Sequence, residues 1–146
     1  MGGQAGQADA GSGGGGILLQ KHVVSSNTFT DITTNNVWTT ILTQEVTVAG
    51  ATDRVYIEAA LMMRATTTTF TCDLRIARDG TAVATAEGDI GFNSEIQNIH
   101  IRGIDTPGVG TYTYTVQAQR VNPNDCEINP TGTTSFGAVE VLSANP

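Results

Sequence analysis

Thr111-Tyr112-Thr113-Tyr114-Thr115-Val116-Gln117-Ala118-Gln119 alternates without a break. Successive side chains of an extended strand point to opposite faces. Tyr112, Tyr114, Val116 and Ala118 therefore share a core face, while Thr111, Thr113, Thr115 and Gln117 face water. The same period of two returns in 54–63, where Val55, Ile57, Ala59, Leu61 and Met63 are in phase. It returns again in 70–76, with Phe70, Cys72, Leu74 and Ile76 in phase. A slip of one residue would turn each apolar set out to solvent, so the pattern fixes register as well as element type.

Working outward, strands are expected at 17–24, 28–31, 37–48 (bent or split near Thr40), 81–85, 96–101 and 135–142. In 96–101 the side chains of Ile99 and Ile101 point inward and His100 outward. Turns separate these segments at Asn35-Asn36, at 49–53, at 105–110 and at Asp79-Gly80, a strong hairpin signal because the turn needs positive φ. Residues 88–94 read as a loop, as does the piece bracketed by Pro123 and Pro130. No segment sustains a helical period. Many short strands at this spacing give an all-β fold, an antiparallel β-sandwich.

Of the first sixteen of the 146 residues, eight are glycine. Glycine loses the most backbone entropy on ordering, and this stretch has almost no apolar surface to offset it. Residues 1–16 are thus expected to be a flexible Gly-rich arm and 17–146 the sandwich. The arm's last glycines, Gly13, Gly14, Gly15 and Gly16, lead into Ile17, Leu18 and Leu19, a first apolar anchor for contacts with another surface or subunit. Of the rest, 23 residues are threonine and only 14% of the chain is charged. β-Branched threonine suits the wet face of a sheet and works against helices. The net charge is −7, and one lysine and six arginines are spread singly. Nucleic-acid binding calls for clustered basic groups, so it is not expected. No apolar run approaches the roughly 18 residues of a membrane span, and the N-terminus lacks the pattern of a secretory signal.

Cys72 and Cys126 allow one internal pairing. Two readings stay open, a disulfide or a buried thiol beside an unrelated loop thiol. Asp89, Asn93 and Glu95 lie close in sequence, as do Asn122, Asn124, Asp125 and Glu127. These are ordinary turn residues and follow no Ca²⁺-loop template, so no metal or cofactor is expected. His22 and His100 have no metal-ligand spacing, and nothing marks a nucleophile or a carboxylate pair. An enzyme is not expected. Trp38 and Tyr56 form a candidate aromatic platform for a glycan, Tyr56 being out of phase with its strand's core set.

Several segments together carry a resemblance. Thr28-Phe-Thr-Asp-Ile32 runs on to Trp38-Thr-Thr-Ile-Leu-Thr-Gln-Glu-Val-Thr-Val48, and Val55-Tyr-Ile-Glu-Ala-Ala-Leu61 follows. Leu74-Arg-Ile-Ala-Arg-Asp-Gly-Thr-Ala-Val83, the string from Ile104 to Ala118, and Gly137-Ala-Val-Glu-Val-Leu142 complete the pattern. The chain resembles the jelly-roll-like accessory domains of tailed-bacteriophage virions, found in capsid decoration (cement) proteins and at the ends of some tail fibres. The resemblance implies a jelly-roll-like sandwich, frequent trimerisation and a structural role. It supplies no catalytic residues. The expectation is a decoration protein, made in the host cytoplasm, on the outer capsid surface of the virion. Its partners would be the major capsid protein and itself as a homotrimer. The alternative is a receptor- or carbohydrate-binding domain of a tail fibre or a lectin-like module.

Overall fold

In the computed structural model, residues 16–65, 70–90, 96–121, 126–130 and 132–143 are described, with backbone alone for 65, 70–71 and 86–90. The strands in chain order are β1 (Leu18–Ser26), β2 (Thr30–Ile32), β3 (Thr39–Val48), β4 (Arg54–Ala65) and β5 (Phe70–Arg78). They continue as β6 (Thr81–Ile90), β7 (Ile96–Asp105), β8 (Gly110–Arg120), β9 (Cys126–Ile128) and β10 (Ser135–Leu142). No helix occurs among the described residues.

Each strand pairs antiparallel with its mirror in chain order: β1 with β10, β2 with β9, β3 with β8, β4 with β7 and β5 with β6. The chain is one long hairpin that has rolled up on itself. Its tip is Asp79-Gly80, with φ of 47° and 87°, the paired positive values a two-residue hairpin turn requires. The Asp79 amide donates to the Thr113 carbonyl, and the Thr113 amide donates to Asp79 Oδ1, each at 2.9 Å. Rolling adds the pairings of β10 with β4, β9 with β4 and β8 with β5. The result is a six-stranded sheet, β1-β10-β4-β9-β2 with β7 also on β4, facing a four-stranded sheet, β3-β8-β5-β6. This is the jelly-roll form of the sandwich.

The inner faces hold the side chains that the period of two assigns to them. Val55, Ile57, Leu61, Leu74, Ile76, Tyr114 and Val116 are buried. Tyr112 is half-buried, and its hydroxyl donates to the carbonyls of Pro107 (2.9 Å) and Val109 (3.2 Å). Ile101 is buried, Ile99 half-buried and His100 exposed. The side chain of Phe70 lies outside the described set. The register of β3 shifts between Thr40 and Leu42, where the sequence suggested a bend.

Two expectations are corrected. Residues 88–90, read as loop, continue β6, because the ladder to β5 runs on through Cys72 opposite Gly88 to Phe70 opposite Ile90. The segment bracketed by Pro123 and Pro130 contains β9, which pairs with both β2 and β4. Beyond β9 the chain turns at Asn129, buried at a φ of 54°. Its amide donates to the Met62 carbonyl (2.8 Å), its Nδ2 donates to the Thr28 carbonyl (3.1 Å), and Ser135 Oγ donates to its Oδ1 (2.6 Å).

A further polar group reaches the core at Tyr114. Tyr114 donates its hydroxyl proton to Asp105 Oδ2 (2.8 Å), and Arg78 Nη1 donates to the same oxygen (2.7 Å). Burial, reinforced by the Asp105 carboxylate, holds the Tyr114 phenol well above the ordinary tyrosine range. The native state therefore keeps this proton at a pH where the unfolded chain, with a phenol near pKa 10, has lost it. Stability from this proton is full below about pH 10 and falls as the pH rises further. Tyr114→Phe should flatten that alkaline loss in urea melts taken from neutral to strongly alkaline pH. An unchanged slope would assign the loss to other groups.

Candidate functional site

The entrance of the chain into the sandwich is tightly held. Ile17 donates its amide to Ser143 Oγ (3.0 Å) and accepts from the Ser143 amide (2.8 Å). Gly16 packs against the Ser143 carbonyl so closely that a Cβ would collide with it. Gly16, assigned from sequence to the arm, is thus already part of the sandwich; Gly13, Gly14 and Gly15 lie outside the described residues. Ile17, Leu18 and Leu19 are exposed at the head of β1, an edge strand of the six-stranded sheet. The register shifts between Leu18 and Gln20, leaving Leu19 in a bulge.

The two outer faces of the sandwich differ in chemistry. Among the described strand residues, all the exposed large apolar side chains belong to the six-stranded sheet: Leu18, Leu19, Val23, Ile96, Ile104 and Phe136. Val23, Phe136 and Ile104 are 69%, 56% and 51% exposed, so more than half of each is left uncovered. Pairing sets them in adjoining rows. One row runs Ser25, Phe136, Ala60, His100; the next runs Val23, Ala138, Glu58, Arg102; a third runs Lys21, Glu140, Tyr56, Ile104. The small side chains of Ala60 and Ala138 leave a depression of about 280 Å³ between Val23, Phe136 and His100.

The outer face of the four-stranded sheet is polar instead. Thr43 faces Thr115, and Thr47 faces Thr111 with their hydroxyls 3.0 Å apart. Trp38, just before β3, carries the guanidinium of Arg75 over its ring, 4.5 Å from the centroid. Tyr56 stands on β4 of the other sheet, in phase with Glu58 and opposite to Val55 and Ile57. Trp38 and Tyr56 therefore lie on opposite sides of the molecule and form no common platform. The tyrosine was correctly placed outward; what the sequence could not display is which sheet each residue joins.

Cys72 on β5 and Cys126 on β9 are fully buried and joined as a disulfide, with Cα atoms 6.3 Å apart, so the bond crosses from one sheet to the other. Glu127 is taken by Arg64, whose Nε donates to Glu127 Oε1 at 2.7 Å. Asn93, Glu95, Asn122, Asn124, Asp125 and the side chain of Asp89 lie outside the described set. His22 Nε2 lies 3.2 Å from Gln20 Oε1. No group of three or more metal-ligating side chains forms among the described residues.

Magnitudes limit what the apolar face can do alone. Covering the exposed parts of Leu19, Val23, Ile104 and Phe136 is worth about 1–2 kcal/mol each, or about 4–8 kcal/mol together. Association of two bodies costs on the order of 4–15 kcal/mol. The face is suited to binding that is reinforced by other contacts or by several copies.

No protein-family model and no curated protein matches the chain. Among solved structures it is similar to the C-terminal domain of EclA, a sugar-binding protein, at 14% identity and a TM-score of 0.42, over 91% of this chain and 88% of that one. It is similar to a chain of the infectious bursal disease virus VP2 subviral particle at 11% identity and a TM-score of 0.45, over 86% of this chain and 38% of that one. A third likeness is to Bacillus endospore appendages, which form disulfide-linked pili, at 17% identity and a TM-score of 0.38, over 85% and 92% of the two chains.

Proposed function

We propose that this protein is a structural, non-enzymatic component of a tailed-phage virion that binds the outer capsid surface and stabilises the shell. The observation that carries the reading is the contrast between the faces: one presents Val23, Ile104 and Phe136, the other threonine and glutamine. Val23 and Phe136 adjoin on β1 and β10 as an exposed apolar pair, with Ile104 standing apart on β7 beyond Glu58 and Arg102, and such a concentration on one side of a small domain supports an interaction site there. The chain enters on the same sheet, at Ile17, so residues 1–15 start beside that surface. Fully extended, fifteen residues reach roughly 50 Å, far enough to lie on an adjacent subunit. The modest worth of the face alone is answered by the arm and by a homotrimer, each raising the effective concentration of the next contact. The major capsid protein is the partner this predicts. The carbohydrate-binding alternative loses its Trp38–Tyr56 platform, since the two rings are on opposite faces.

The test removes residues 2–15, keeping Gly16 and its packing on Ser143, and mixes the truncated protein with undecorated particles. Occupancy at a fixed concentration should require at least about tenfold more protein, a loss of about 1.4 kcal/mol. Unchanged occupancy and unchanged particle stability would reduce the arm to a passive tail.

A further inference from the structure

We propose that the outer face of the four-stranded sheet is a second binding site, independent of the capsid reading, that takes neutral oligosaccharides. Its centre is Trp38 with Arg75 laid over the ring. Arg75 is fixed there from the side: its Nε donates to Gln117 Oε1 at 2.7 Å, and Gln117 Nε2 donates to Thr40 Oγ1 at 3.0 Å. Thr40, Gln117, Arg75 and Thr85 form one row across all four strands. The next row brings Gln119 beside Asp73, with Gln119 Nε2 3.4 Å from Asp73 Oδ2.

The second observation is on that carboxylate. Asp73 Oδ1 is shielded from solvent and has no hydrogen-bond partner among the described residues. An ionised carboxylate oxygen is an acceptor only, and leaving it unmatched is unfavourable. A ligand hydroxyl reaching it by a small side-chain rotation would supply the missing donor. Around it stand a planar guanidinium, two side-chain amides and a hydroxyl, the donors and acceptors that pair with neighbouring sugar hydroxyls. The indole, with Arg75 over one face, adjoins these groups and senses a ligand that moves the guanidinium. Because Arg75 and Gln117 are already locked by one another, little order is lost on binding.

Charge narrows the ligand. The chain carries −7 overall, and Asp73 offsets Arg75 within the site. Such a field repels polyanions, so sialylated and sulfated glycans are disfavoured and neutral hexose or N-acetylhexosamine oligomers preferred. The face is built of extended rows rather than a deep cup, which suits an oligomer over a single sugar.

Trp38 is the chain's one tryptophan, so its fluorescence reports on this site alone. The full chain is screened on an array of neutral hexose and N-acetylhexosamine oligosaccharides, and the best-retained glycan is titrated while tryptophan emission is followed. A saturable change is expected. Asp73→Asn and Gln117→Ala should each weaken it by about tenfold or more, with melting curves confirming that both variants fold. Phe136→Glu, on the opposite face, should leave it unchanged. No array retention and no saturable change would overturn the proposal. So would binding that survives Asp73→Asn and Gln117→Ala, or binding lost in Phe136→Glu. Capsid occupancy has no bearing on any of these outcomes, so the two readings fail separately.

Discussion

Replacing Cys72 and Cys126 together by alanine should lower the free energy of unfolding by about 4 kcal/mol, a loss set mainly by the loop the bond closes. The two cysteines are 54 residues apart, and the loop between them contains β6, β7 and β8. Cutting the link returns that loop-closure entropy to the unfolded chain. The native state feels the change locally too. β9 has three residues and pairs with β4 only from Met63 to Ala65, so the covalent bond to β5 is a large part of what holds it. Thermal unfolding should move down by roughly 10–15 °C. A shift of less than about 3 °C would show that β9 and the β2 it carries are held by their ladders alone.

Changing Val23 and Phe136 together to glutamate should strongly weaken capsid attachment while leaving the sandwich intact. Both side chains are more than half exposed, so neither change intrudes on the core, and the stability of the free protein should move by no more than about 0.5 kcal/mol each. On the capsid the two carboxylates would be buried against an apolar surface without partners, which is costly for any charge. Occupancy in a pelleting assay with undecorated particles should fall by about a hundredfold, equivalent to about 2.7 kcal/mol. The paired control is Thr43→Lys with Thr115→Glu, opposite charges placed directly across from one another on the polar face. It should bind as the native chain does.

How far the sequence reveals this arrangement depends on how long each pattern runs. β8, β4 and β5 are legible because their apolar residues recur over several turns of the pleat, and β10 is found at its full extent, Ser135–Leu142. β9 is too short to show a period at all. The far half of β6 hides for another reason: Ala84, Ala86 and Gly88 offer no apolar contrast to read. The candidate face did leave a trace. Phe136 is out of phase with Val139 and Val141, Ile104 is out of phase with Ile99 and Ile101, and Val23 stands beside Val24. Each reads singly as noise in an alternation. They come onto one face only when β1, β10, β4 and β7 are brought side by side, and those pairings join residues as distant in sequence as Leu18 and Leu142. The same limit separated Trp38 from Tyr56, since phase gives inward or outward but not the sheet. Cys72 and Cys126 meet for a reason equally invisible in the sequence, the stacking of β9 over β5.

Hydroxyl-radical footprinting of the protein, free and mixed with undecorated phage capsids, tests the central claim of the proposed function most directly. The label reacts with exposed aliphatic and aromatic side chains, so both faces are read in one experiment. On binding, oxidation should fall at Leu19, Val23, Ile104 and Phe136 and stay unchanged at Trp38. Protection of Trp38 with Phe136 still reactive, or a protein that does not bind the particles at all, would contradict the account.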